Sequence, residues 1–169
     1  MKKTIISLIG AAMVAVVLTP RTSEAQSASI NATATVAGAL TVTNVRDLGF
    51  GTVIPGFNRT ILTTDGTSGH FQVGGGANAE VQLSYSALPA TLDDGLGNSM
   101  NVSFTATHNT TDAGGTGTGF VPSAGLTTRL DAATGELHIY MGGTLTVPAG
   151  QAVGVYSGTI TLDAAYTGN

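Results

Sequence analysis

The chain has 169 residues and no cysteine, and its formal net charge is −4 at pH 7. Only 9% of its residues are charged. This disfavours binding to nucleic acids and to anionic membrane surfaces, because both draw much of their affinity from clusters of lysine and arginine. The length suggests one domain with a core large enough to be stable without disulfide bonds.

The first 25 residues have the three parts of a secretory signal peptide. Lys2 and Lys3 form a positive start, and residues 4–18 form an uncharged apolar run. Ser23 and Ala25 then place small residues before a cut after Ala25. The apolar run is shorter than the roughly 20 residues of a membrane-spanning helix, although a retained anchor is the alternative. We therefore expect a secreted protein, in the periplasm or at the cell surface, with no membrane span in the mature chain.

The mature N-terminus, residues 26–36, alternates between polar side chains and small or apolar ones. The small and apolar positions are Ala28, Ile30, Ala32, Ala34 and Val36. A period of two is typical of a strand with one buried face. The pattern therefore predicts an N-terminal strand ahead of the main domain.

Short segments of similar alternation recur through residues 37–169, separated by glycine-rich turns. We predict strands at residues 40–45, 60–63, 70–73, 80–86, 100–107, 137–141 and 144–147, and a last and longest strand at residues 155–166. No apolar stripe of helical period follows residue 25. The pattern predicts an all-β protein in which residues 37–169 fold as one immunoglobulin-like β-sandwich.

Two segments resemble an exported bacterial family known as domain of unknown function 4402. Residues 40–51 (LTVTNVRDLGFG) resemble the opening of that family. Residues 143–147 (GTLTV) and 154–162 (GVYSGTITL) resemble its end. Together they frame nearly all of the chain after the signal peptide, so the resemblance covers the predicted domain.

The closing segment is also similar to the last strand of spore coat protein U and of archaic chaperone–usher pilins. In pilins a glycine and an aromatic residue twelve positions apart mark that strand, and Gly154 and Tyr166 have this spacing. The chain departs from many pilins because it lacks a disulfide and continues past Tyr166. The resemblance implies a pilin-like sandwich that lacks one strand, which the N-terminal extension of a neighbour supplies.

Residues 26–36 have the position and the alternation of such a donor strand. The alternative is that they form the first strand of their own sandwich. Donation would make other copies or other surface subunits the partners, with a periplasmic chaperone before assembly. We expect a structural or adhesive surface protein. The alternative function is a monomeric extracellular module that binds glycan, matrix or calcium.

The motifs of common enzymes are missing from the sequence. His70, His108 and His138 lie in no H-E-x-x-H pattern, and no serine has the glycines of a nucleophile elbow. The mature chain has no lysine for a phosphate-binding loop or a Schiff base. We therefore predict no catalytic residue and no cofactor. His138 is expected to face outward from its strand, and a zinc site built from distant strands stays open.

One loop has the composition of a weak calcium site. Asp93, Asp94 and Asn98 place hard oxygen ligands among flexible glycines. The loop lacks the regular ligand spacing and the distal glutamate of an EF-hand. A solvated turn is the alternative interpretation, and no other metal site is predicted.

Overall fold

The computed structural model describes residues 26–34 and 38–168. Residues 26–34 belong to a separate unit from the chain after Thr35. They form no strand and are exposed, with Ile30 at 94% exposure. An isolated extended segment has no neighbour to pair its backbone groups, so the strand predicted for residues 26–36 stays a prediction. Val36 and the predicted signal peptide at residues 1–25 lie outside the described residues.

The described residues of the second unit contain ten strands and one short 3-10 helix. The strands are β1 (Thr41–Arg46), β2 (Arg59–Ile61), β3 (Gly69–Gly74), β4 (Glu80–Ala87), β5 (Thr91–Asp93), β6 (Ser99–Asn109), β7 (Thr118–Phe120), β8 (Leu126–Arg129), β9 (Glu136–Leu145) and β10 (Thr161–Tyr166). The 3-10 helix spans Pro122–Ala124. None of the described residues lies in an α-helix, and none belongs to a helix able to cross a membrane.

The larger sheet has seven strands and is built around β9. Its main order is β1-β3-β9-β6-β5, while β2 adds to β9 and β7 adds to β6. All these pairs are antiparallel. In β9 every second residue faces the core, beginning with Leu137 and Ile139. The residues at the alternate positions, such as His138 and Tyr140, face the other side of the sheet.

The smaller sheet has three strands in the order β10-β4-β8. It covers only the half of the larger sheet that contains the start of β9. Between the two sheets lies the main core, which consists of Val73, Val81, Leu83, Leu130, Leu137, Ile139 and Leu162. The predicted all-β sandwich is confirmed.

The other half of the larger sheet has a separate apolar cluster covered by irregular chain. Its buried members are Met100, Val102, Leu145 and Val147. Phe50, Val53 and Tyr156 pack against them from two loops. A groove lies between these loops, and it is the candidate site described below.

The last strand is shorter than the sequence predicts. We expected it at residues 155–166, but β10 spans only Thr161–Tyr166, and the longest strands are β6 and β9. Residues 155–160 run from one sheet towards the other and pair only through the bridge between Ser157 and Asp93. The crossing interrupts the ladder, although the alternation of side chains in the sequence continues through it.

Candidate functional site

An apolar groove of about 810 Å³ opens on the core face of the larger sheet. Its floor comes from three adjacent strands. The floor residues are Phe71 of β3, Met100 and Phe104 of β6, and Met141 and Leu145 of β9. Their side chains face the core because they alternate with the outward-facing residues of the same strands.

Two irregular segments form the walls of the groove. One wall is residues 47–55, which continue the chain from the end of β1. The other wall is residues 151–158, which lead towards β10. Val153 and Val155 are exposed hydrophobic side chains of the second wall, so this rim of the groove is also apolar.

The two strands next to these walls, β1 before the first wall and β10 after the second, each have a free edge. Among the described strands, β1 pairs only with β3, and β10 pairs only with β4. Val42 of β1 lies directly opposite Val73 of β3 and so shares its face of the sheet. Val73 is fully buried, whereas Val42 is 38% exposed. The core is therefore incomplete along β1.

Tyr166 closes the end of the sandwich that lies away from the groove. Its hydroxyl donates a hydrogen bond to the Gly38 carbonyl oxygen at 2.9 Å and accepts one from the Gly76 amide at 2.7 Å. Its ring packs against the main core. The aromatic member of the predicted last-strand motif thus connects the last strand to the chain that precedes β1.

Gly154, the other member of that motif, is not on the last strand. It lies in the exposed wall of the groove, next to the side chain of Asp94. Gly154 and Tyr166 therefore do not mark the two ends of one strand in this structure. The spacing of twelve residues spans a loop and a strand.

The weak calcium candidate is a loop whose carboxylate is occupied by hydrogen bonds. Asp94 accepts bonds from the amides of Leu96 and Asn98 and from the Asn98 side chain, which is 2.6 Å away. The Asn98 amide and these backbone bonds lower the pKa of Asp94. Asp93 is bonded instead to Thr91 and bridges to Ser157. The geometry resembles a closed turn, and calcium binding stays a prediction.

A polar cluster on the outer face of the larger sheet is the main feature that the sequence did not reveal. We call His70, His138, Tyr140 and Asp112 the His cluster. His70 Nε2 lies 3.1 Å from His138 Nδ1, and the His70 ring stacks on Tyr140. Tyr140 donates a hydrogen bond to Asp112 from the loop after β6. His138 faces out of the sandwich as expected, yet it is buried beneath this loop.

The comparisons with known proteins place the domain in one family. The model of the family described as domain of unknown function DUF4402 matches residues 40–166. No curated protein matches the chain. The match spans every strand of the second unit and leaves residues 26–36 outside it.

Proposed function

The chain belongs to the DUF4402 family, a family of unknown function, and we propose that it is an exported subunit of a surface structure that assembles by strand donation. In this proposal residues 26–36 of one copy lie in the groove of the next copy. The observation that carries it is the apolar groove, whose two walls join directly to β1 and β10, both of which have a free edge.

A donated strand would supply two things that the sandwich lacks: a partner for a free strand edge and a cover for the apolar floor of the groove. Its backbone would pair with the free edge of β1 or β10, which supplies affinity without regard to sequence. Its alternate side chains would cover floor residues such as Phe71 and Leu145. The small and apolar residues at every second position of 26–36 suit this shallow, continuous groove.

The direction of the chain ahead of β1 favours donation to another copy. Thr41 pairs with Gly74, and the Gly38 backbone lies against Gly76, so the chain keeps the direction of β1 back to Gly38. Gly38 therefore lies at the Tyr166 end of the domain, whereas the groove lies in the other half. A donor segment attached at Gly38 would thus start away from the groove of its own copy.

The proposed location at a surface rests on the signal peptide at residues 1–25 and on the composition of the chain. A surface subunit that reaches its site unassembled also needs protection of its free edges, since such edges promote aggregation. A periplasmic chaperone that lends a strand before assembly would supply it. The similarity to spore coat protein U and to archaic pilins supports the same assignment.

The volume of the groove favours one second candidate, a monomeric binding module. Ligand pockets of proteins measure roughly 300–1,000 Å³, and the groove at about 810 Å³ is of that size. In this case a free apolar ligand, and not a strand, would occupy it. The two candidates differ in whether a second copy of the chain is ever in the groove.

Site-directed cross-linking tests the proposal, because the chain has no cysteine of its own. One set of proteins carries a single cysteine at Ile30, Ala32 or Ala34, which covers the possible registers. A second protein carries Val155→Cys at the rim of the groove. Mixed copies treated with a short bifunctional thiol reagent should give covalent heterodimers, which gel electrophoresis would detect.

Thr127→Cys is the matched control, since Thr127 is exposed on β8 at the other edge of the smaller sheet. It should give no heterodimer. A further protein carries both cysteines in one chain. If they react within that chain and mixed single-cysteine copies do not react, donation to a neighbour is wrong. If no pair reacts and the protein stays monomeric, assembly is wrong, and binding of an apolar probe in the groove would then favour the second candidate.

A further inference from the structure

The His cluster lies on the outer face of the larger sheet, separate from the groove. Pairing of β3 with β9 sets His70 opposite Tyr140 and Gln72 opposite His138, so the two histidines are diagonal neighbours. The loop between β6 and β7 brings Asp112 over them. Of the described residues, this trio alone places three ligand atoms of histidine, cysteine or acidic side chains within 4.8 Å of one another.

The separation of the two imidazole nitrogens matches that of two ligands on one ion. In tetrahedral zinc sites each nitrogen lies about 2.0–2.1 Å from the metal, which places two such nitrogens about 3.3 Å apart. The observed distance between His70 Nε2 and His138 Nδ1 is 3.1 Å. In the absence of an ion, a single proton must join these two nitrogens, and a metal would take the place of that proton.

The two histidines are shielded from solvent, whereas the aspartate is accessible to it. His70 and His138 are 4% and 6% exposed. Asp112 is exposed, which leaves a route for the ion from solvent.

Tyr140 supports the cluster without being a ligand. Its ring stacks on His70 with centroids 4.2 Å apart and planes 10° apart, which fixes the imidazole plane. Its hydroxyl donates to Asp112 and so directs the carboxylate towards the histidines. Burial, and then this bond, raise the pKa of Tyr140 to about 12, so the phenol stays protonated. Supporting partners of this kind are common around metal ligands.

We propose that His70, His138 and Asp112 bind one divalent transition metal ion, with Zn²⁺ as the ion this donor set favours. Two imidazoles and a carboxylate select such ions over Ca²⁺ and Mg²⁺, which prefer oxygen ligands. Three protein ligands leave a fourth position for water. The ion would tie the loop after β6 to the sheet. Arg46 opposes binding through its charge, but its guanidinium is held by Ser68.

Zn²⁺ titration of the untagged, chelator-treated protein tests the site. Isothermal calorimetry should show one ion bound per chain, and Ca²⁺ and Mg²⁺ at the same concentration should show none. Binding should raise the midpoint of thermal unfolding, since the unfolded chain lacks the assembled site. In NMR spectra the ring signals of His70 and His138 should shift on addition of Zn²⁺, while those of His108 should not.

Variants identify the ligands. His70→Gln and Asp112→Asn should each weaken Zn²⁺ binding at least about tenfold, and Tyr140→Phe about 10- to 100-fold. His108→Gln is the matched control, because His108 lies opposite Ile139 and so on the core face of the sheet, away from the His cluster. This variant should bind Zn²⁺ as the unmodified protein does. Asp112→Asn retains an acceptor for Tyr140, so it should stay folded even if His70→Gln does not. The proposal would be overturned if the protein did not bind Zn²⁺ stoichiometrically. It would also be overturned if Asp112→Asn bound Zn²⁺ as tightly as the unmodified protein and the histidine signals did not shift.

Discussion

The Tyr166 hydroxyl donates a hydrogen bond to the Gly38 carbonyl oxygen over 2.9 Å and thereby joins the end of the last strand to the chain ahead of β1. The Tyr166 hydroxyl oxygen also accepts a hydrogen bond from the Gly76 amide. One side chain thus connects three segments that are distant in sequence. It also fixes the position of Gly38 at this end of the sandwich.

Removal of this hydroxyl should destabilise the domain. Tyr166→Phe leaves the Gly76 amide and the Gly38 carbonyl without this partner, so we expect the free energy of unfolding to fall by about 1–3 kcal/mol. Urea denaturation measures the change. Tyr85→Phe is the control, since the Tyr85 hydroxyl donates only to the Met141 sulfur, a weak acceptor. An equal loss in both variants would contradict the role of Tyr166.

A charge on the apolar face of residues 26–36 should block assembly and spare folding. Ile30 is almost fully exposed in the single chain, so Ile30→Asp should leave the unfolding midpoint unchanged. In an apolar groove its carboxylate would be unpaired and poorly solvated. We expect at least about a tenfold weaker association, which corresponds to about 1.4 kcal/mol, measured by light scattering after size exclusion. Asn31→Asp on the opposite face should associate almost as the unmodified chain does, and equal defects would refute the alternation of faces.

Two leucines of β9 should respond differently to truncation. Leu137 lies in the closed core between the sheets, whereas Leu145 lines the groove. Large-to-small changes in cores cost about 2–5 kcal/mol, and more where a sealed cavity remains. We expect Leu137→Ala to reach the upper part of this range and Leu145→Ala the lower part, by urea denaturation. The reverse order would show that the groove is closed in solution.

Stability should decline as the pH falls below neutrality. Burial lowers the pKa of His108, so between this pKa and the unfolded value of about 6.5 the unfolded chain binds more protons. The free energy of unfolding then rises with pH in this range. The stabilising contribution of His108 is fully present above about pH 6.5 and is lost as the pH falls through its pKa in the folded chain. The thermal midpoint, measured with chelator, should drop less steeply in His108→Gln. NMR titration of His108 with a pKa at or above 6.5 would contradict this.

The alternation of apolar and polar residues in the sequence predicted the location of most of the strands. The alternation of Val102, Phe104 and Ala106 gave the correct location of β6, and that of Val81, Leu83 and Tyr85 gave the location of β4. The sequence also predicted a break where β9 is continuous, at Gly142 and Gly143. A Cβ at Gly142 would lie 2.5 Å from the Ile61 carbonyl oxygen. The glycines there permit close packing of another segment and do not end the strand.

The candidate sites depend on information that no local pattern carries. The groove follows from which strand edges stay free, and that depends on the order of strands in both sheets. The His cluster depends on a register that sets His70 opposite Tyr140, although 70 residues separate them. The visible signal was an aromatic or histidine residue at alternate positions of β9, which also fits a simple exposed strand. Pairing between distant strands decides between these interpretations.

The straight run of chain from β1 back to Gly38 also constrains the symmetry of any polymer. In the proposed assembly the donor segment is attached at Gly38, at one end of the domain, and the groove opens in the other half, so the two contacting surfaces of a copy would be different. Such a contact is heterologous, and each copy added to an open chain brings a new vacant acceptor. It produces closed rings or open fibres whose two ends are unlike. A fibre of this chain would therefore have a direction, with one end able to accept a subunit and the other able to donate.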